Sequence, residues 1–215
     1  MRIRYVLALI VVASSPGVVV GACAPEKLAR IVFRDATPGI PADSFAAKSK
    51  TLYRLGAKYS RLEEAPDPEH GIHGLAIAAE PDLWMINLAT KSGRHILDTG
   101  EPYVIHAQVF GGPTDPEPLK SFEFGCELAY MNEKGVRPEP STIAGRDLDM
   151  YKLSGPTHTV FLAIISGTKR PLYASMFKDG NLVTLIQYVQ YDLGLKPDMN
   201  AFRPPAGITI TEAKR

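Results

Sequence analysis

Apolar residues recur along this chain in short runs cut by turn-forming residues, the pattern of a β meander. Residues 28–34 form a first candidate strand, which Thr37-Pro38-Gly39-Ile40-Pro41 ends. Residues 52–54 and 58–63 read as strands joined at Gly56, with Tyr53, Tyr59 and Leu62 as apolar positions. A loop rich in proline and acid, Ala65-Pro66-Asp67-Pro68-Glu69-His70-Gly71, leads to a strand over 72–79. Glu80-Pro81-Asp82 turns the chain into 83–88, and Lys91-Ser92-Gly93 turns it back into 94–97. Strands this short with turns this regular imply antiparallel pairing of neighbours.

The middle of the chain has a different rhythm. Thr114-Asp115-Pro116-Glu117 carries the marks of a helix start: an acidic cap, an early proline and a second acid near the positive end of the dipole. Phe122, Cys126 and Ala129-Tyr130 recur at helical spacing, and Lys134-Gly135 is a C-terminal stop. Phe122, Phe124, Cys126, Leu128 and Tyr130 also alternate strictly, which is a strand pattern. Punctuation at both ends favours the helix, and Gly125 would weaken a strand.

After Arg137-Pro138-Glu139-Pro140 the β pattern resumes over 147–153, 157–165, 172–177 and 182–191, with a final strand over 207–211 and a helical turn at 200–202. Lys178-Asp179-Gly180-Asn181 is the clearest hairpin signal. Residues 157–165 are apolar on both sides, with Val160, Leu162 and Ile164 on one and Phe161, Ala163 and Ile165 on the other. Residues 182–191 behave alike. A sheet with one wet face alternates apolar and polar, so these strands are covered twice. The fold expected is mainly β (α+β): a curved antiparallel sheet, or half-open barrel, closed by a helical insertion around an apolar hollow.

The first residues change the setting. Arg2 and Arg4 precede an apolar run over 5–13, then Ser14-Ser15-Pro16-Gly17 and small residues up to Cys23. These are the parts of a secretory signal, and Pro16-Gly17 interrupts the run before it reaches the roughly 20 residues of a membrane-spanning helix. The expectation is a signal over 1–22 and a single half-barrel domain over 23–215. Val20-Gly21-Ala22-Cys23 resembles a lipobox, in which Cys23 takes a diacylglycerol and anchors the protein to the outer membrane. The other fate open to Cys23 is a disulfide with Cys126, the only other cysteine, which an exported protein can hold. Losing Arg2 and Arg4 moves the formal charge from +1 to −1. With no basic cluster in the sequence pattern, nothing predicts nucleic-acid binding.

The chemistry of catalysis is not legible. His70 and His73 sit in a glycine-proline loop without a third ligand at metal spacing. No Gly-x-Ser-x-Gly elbow or phosphate loop occurs, and Glu63-Glu64 and Asp147-x-Asp149 read as solvated acids. No metal, cofactor or catalytic residue is expected. Trp84 has two readings: a core residue beside Leu83 and Ile86, or a platform for a ligand.

The order of elements carries a resemblance. Pro81-Asp82-Leu83-Trp84-Met85-Ile86-Asn87, Ala144-Gly145-Arg146, Met150-Tyr151-Lys152-Leu153, Arg170-Pro171-Leu172 and Phe202-Arg203-Pro204-Pro205-Ala206-Gly207 resemble segments of one superfamily. It is that of the bacterial outer-membrane lipoprotein carrier and receptor. The chain has no counterpart of the N-terminal arginine-aromatic segment through which the carrier grips its cargo. The resemblance implies a half-barrel whose hollow holds acyl chains or another lipid-like ligand. The residues expected to line it are Trp84, Ile86, Phe161, Ala163 and Ile165. The protein is accordingly expected to be a non-enzymatic periplasmic binder of a hydrophobic small molecule or lipid. The alternative is an envelope interaction module without a ligand.

Overall fold

Two-residue turns set the second half of the fold. Asp179 and Gly180 both take the left-handed backbone region, at φ +50° and +80°. That is the loop preferred between strands of right-handed twist, and it places Lys178 opposite Asn181. Ala144 and Gly145 do the same at φ +50° and +73°, placing Ile143 opposite Arg146. The computed structural model describes residues 11–13, 24–111 and 117–213. Cys23 and Thr114-Asp115-Pro116 lie outside the described residues.

The strands are β1 (Val11–Ala13), β2 (Leu28–Asp35), β3 (Lys50–Leu55), β4 (Tyr59–Glu64), β5 (Gly74–Ala79), β6 (Asp82–Asn87) and β7 (Ser92–Leu97). They continue as β8 (Val104–His106), β9 (Glu139–Ile143), β10 (Arg146–Ser154), β11 (His158–Ile165), β12 (Pro171–Lys178), β13 (Asn181–Leu195) and β14 (Thr209–Glu212). Twelve of them form one sheet in the order β14-β7-β6-β5-β4-β3-β2-β13-β12-β11-β10-β9. The sheet is curved and does not close, as the sequence predicts. Two consecutive meanders meet where β2 pairs with β13. Only β14 is parallel to its neighbour, β7. Within the segment read as an export signal, β1 pairs with β8 in a separate small sheet and adds nothing to the large one.

The strand alternation sorts the sheet into two faces. One carries Ile31, Phe33, Leu52, Leu62, Val160, Leu162, Ile164, Ala174, Met176, Ile186 and Tyr188, and side chains from residues 107–110 and 119–136 pack over it. We call this the inner face. The opposite side of the first meander holds Leu28, Leu75, Ile77 and Ile86, covered by Phe202 and the C-terminal segment. Phe202 belongs to a 3-10 turn, Met199–Phe202, where the sequence predicts one.

The single predicted helix is two short ones, α1 (Glu117–Lys120) and α2 (Glu127–Glu133). Between them Gly125 takes φ +88°, which ends any helix. Glu123 forms an isolated antiparallel bridge with Gln108: Val109 N–H donates to the Phe122 carbonyl at 2.9 Å and Phe124 N–H donates to the Ala107 carbonyl at 2.8 Å. Strand-like alternation thus governs residues 122–124 and helical spacing governs 127–133. Aromatic packing fixes the insertion to the sheet, with the Phe33 and Phe124 rings 4.2 Å apart and Phe124 edge-on to Tyr188 at 5.9 Å.

Candidate ligand cleft

The inner face is filled by protein. Phe110, Phe122, Phe124, Tyr130 and Met131 occupy it, each nearly or fully buried. Beneath them lie two linked polar clusters. Arg54 of β3 donates to Glu123 Oε2 at 2.7 Å and to the Phe124 carbonyl at 2.6 Å. The other oxygen of Glu123 lies 2.8 Å from His106 Nδ1. Glu127, at the start of α2, accepts from Tyr188 Oη at 2.8 Å, Tyr191 Oη at 2.5 Å and Gly125 N–H at 3.0 Å. Burial pushes the Glu127 carboxyl above its ordinary value, against the opposing effect of those donated bonds. Burial also raises both tyrosines, and the nearby Glu127 carboxylate adds to it. A buried acid with a raised pKa is a recognised mark of a reactive group. Here both carboxylate oxygens are satisfied and the side chain is fully enclosed, so the cluster ties α2 to β13.

The residues singled out from sequence fall in separate places. Trp84 stacks on His95 at 5.1 Å, and Ile86 is buried beside Leu75 and Ile77. Phe161, Ala163 and Ile165 share the outer side of β11, with β5, β4, β3, β2, β13 and β12 between them and β6. Phe161 meets Phe177 edge-on at 5.4 Å, and Lys152 Nζ lies 5.8 Å from its ring centre. Ala163 is buried. Ile165 lines a cleft.

That cleft follows from how two strands part. β12 begins at Pro171, which has no N–H to extend the ladder, and the β11–β12 register shifts between Ala163 and Ile164. The last β12–β13 pair at this end is Tyr173 with Gln187. β13 then runs on along β2 to Leu195, through a register shift between Tyr188 and Gln190. The gap has a volume of about 440 Å³ and is bounded by Ile165, Pro171 and Leu172 on one side and Gln187 to Tyr191 on the other. Arg34, Arg146, Arg170 and Ser49 complete the lining. Val189 stands 57 % exposed in it. Arg34 Nε–H donates to Gln187 Oε1 at 2.6 Å, and Gln187 Nε2 donates to Tyr173 Oη at 3.3 Å. Among the described residues its lining holds no histidine, cysteine or carboxylate.

No family model and no curated protein matches this chain. Among solved structures it is similar to an uncharacterized conserved protein from Thermus thermophilus at 10 % identity and a TM-score of 0.47, covering 87 % of this chain and 91 % of that one. It is also similar to PNGF-II at 11 % identity and a TM-score of 0.34, where the match covers 87 % of this chain and 32 % of that one. Likeness at this level bears on neither the fold nor the function of this chain.

Of the remaining chemistry, His70 Nδ1 lies 2.9 Å from Asp67 and His73 Nε2 3.1 Å from Glu63, so the two loop histidines meet separate carboxylates. Among the described residues no group of three or more potential metal ligands is present. Cys126 is disulfide-bonded. Pro25 sits against its neighbour Gly125, where an added Cβ would lie 3.7 Å from Pro25 Cγ.

Proposed function

We propose that this chain is an exported bacterial protein, without enzymatic activity, that binds a lipid-like or other hydrophobic ligand. The observation that carries the reading is the cleft between β12 and β13. It has the size of a small-molecule site, which runs from about 300 to 1,000 Å³. Its wall presents Ile165, Leu172 and the exposed Val189. An exposed valine beside a partly buried isoleucine and leucine gains about 25 cal/mol for each Å² of apolar surface that a ligand covers. The disulfide at Cys126 supports an oxidising compartment, for which the periplasm is the reading. Outer-membrane anchoring through Cys23 competes with that disulfide if Cys23 is its partner, since one sulfur cannot carry both bonds.

A second reading, an envelope interaction module without a ligand, is favoured by one fact: side chains from residues 107–110 and 119–136 pack onto the inner face. Organic extraction of the purified protein followed by mass spectrometry separates the two. A stoichiometric amphiphile in the extract supports the binder. A clean extract, together with no uptake of a fluorescent fatty-acid probe, favours the module.

A further inference from the structure

We propose that the β12–β13 cleft takes an anionic amphiphile, a carboxylate or phosphate carried on a short apolar body. The inference rests on the reading of the chain as a hydrophobic-ligand binder and names the chemistry of the ligand's head.

Arg34 from β2, Arg146 from the start of β10 and Arg170 from the β11–β12 turn converge on one cleft. Among the described residues none of the three is in an ion pair, and each is exposed. The acids next to them in sequence are turned to other partners. Asp35 accepts from the Thr37 N–H at 2.9 Å and from its hydroxyl at 2.6 Å, and Asp147 accepts from the Thr142 hydroxyl at 2.9 Å. The Arg34 guanidinium is held by its Nε–H bond to Gln187, leaving its terminal nitrogens for a ligand. Guanidinium forks match carboxylate and phosphate oxygens in a bidentate manner. Three like charges without counter-charges also focus a positive potential in a chain whose overall formal charge is only +1. The apolar wall lies within the same cleft, so head and body of one ligand are served together.

The test is calorimetric titration of the protein with decanoate, 1-decanol and inorganic phosphate. It is repeated on Arg146→Gln, Arg170→Gln and Arg34→Gln, with Arg34→Lys as a milder change if Arg34→Gln melts early. Charge-assisted hydrogen bonds predict decanoate binding at least about tenfold tighter than decanol, an advantage that each glutamine variant erodes. Equal binding of decanoate and decanol, unchanged in the variants, overturns the anionic head while leaving the hydrophobic-binder reading standing. Absence of binding by both, with a clean organic extract, removes that reading itself. Phosphate binding as tight as decanoate overturns the amphiphile and leaves a site for a free anion. Co-sedimentation with phosphatidylglycerol but not phosphatidylcholine vesicles, lost in the variants, supports the proposal with a bilayer headgroup as the source. Decanoate binding without co-sedimentation supports it with a dispersed amphiphile as the source.

Discussion

The Arg54 guanidinium of β3 closes on the Glu123 carboxylate at 2.7 Å, with both side chains 1 % exposed. A charge pair this deep is held by the bonds around it, since Arg54 also donates to the Phe124 carbonyl and Glu123 accepts from the Ala107 N–H. Removing one partner strands the other. Glu123→Gln or Arg54→Met is therefore expected to cost about 3–5 kcal/mol in urea unfolding. Combining the two restores part of that loss, because the second change removes the orphaned charge. Additive losses would show that the pair is not coupled.

Tyr191→Phe removes one of two hydroxyls that donate to Glu127 and leaves a buried acceptor short of a partner. The expected cost is about 1–3 kcal/mol in urea unfolding, and Tyr188→Phe behaves alike. Glu127→Gln supplies two N–H donors where Tyr188 and Tyr191 already donate, and is expected to destabilise more than either tyrosine change.

His95 ties the last strand to the sheet, with Nδ1 2.8 Å from Glu212 of β14 and Nε2 2.7 Å from Asp82 of β6. Burial of the ring opposes the charged form, but hydrogen bonds and charge from the two carboxylates outweigh it and raise the pKa above 6.5. A raised folded-state pKa gives stability that is complete below the unfolded value and fades as pH rises through the folded one. Amide protection in residues 209–212 is thus expected to be greater near about pH 5.5 than near about pH 9, after correction for intrinsic exchange. His95→Gln should flatten the difference.

Cys126 should report no free thiol before reduction, with reduction lowering the melting temperature; loss of a disulfide costs about 2–5 kcal/mol. Fatty-acid labelling of the wild type but not Cys23→Ser, with Cys126 then alkylated without reductant, would instead establish the lipoprotein.

The two sides of β11 should respond differently. Leu162 is buried under the insertion, so Leu162→Ala is expected to cost about 2–5 kcal/mol. Ile165 is half-buried at the cleft. Ile165→Ala should cost less in thermal melting and weaken decanoate binding.

The meanders were readable from the chain because each hairpin is local. Asp179-Gly180 and the double apolar character of residues 157–165 say nearly all that is needed about β11 to β13. Three features were not readable, for different reasons. β8 and β9 are short or carry mostly polar residues, so their pattern is faint. β14 joins the edge in parallel, where no turn announces it. Arg34, Arg146 and Arg170 look like ordinary solvated cations until the sheet order sets β2, β13, β12, β11 and β10 side by side. The buried clusters left one trace: Glu123 and Glu127 are charged residues inside an otherwise apolar stretch from Phe122 to Tyr130. The strand-versus-helix ambiguity of that stretch reflected two real conformations meeting at Gly125.

The seam between β2 and β13 has a consequence for how the molecule comes to be made. The first strand of the large sheet finds its second neighbour only when residues 181–195 have been synthesised. Until then the border of β2 that pairs with β13 has no partner in the chain. Pairings of such wide sequence separation slow folding and lengthen the time that unpaired edges spend exposed. A chain delivered N-terminus first would therefore complete its core late and in one step, and would depend on its surroundings to keep the early half from associating with copies of itself.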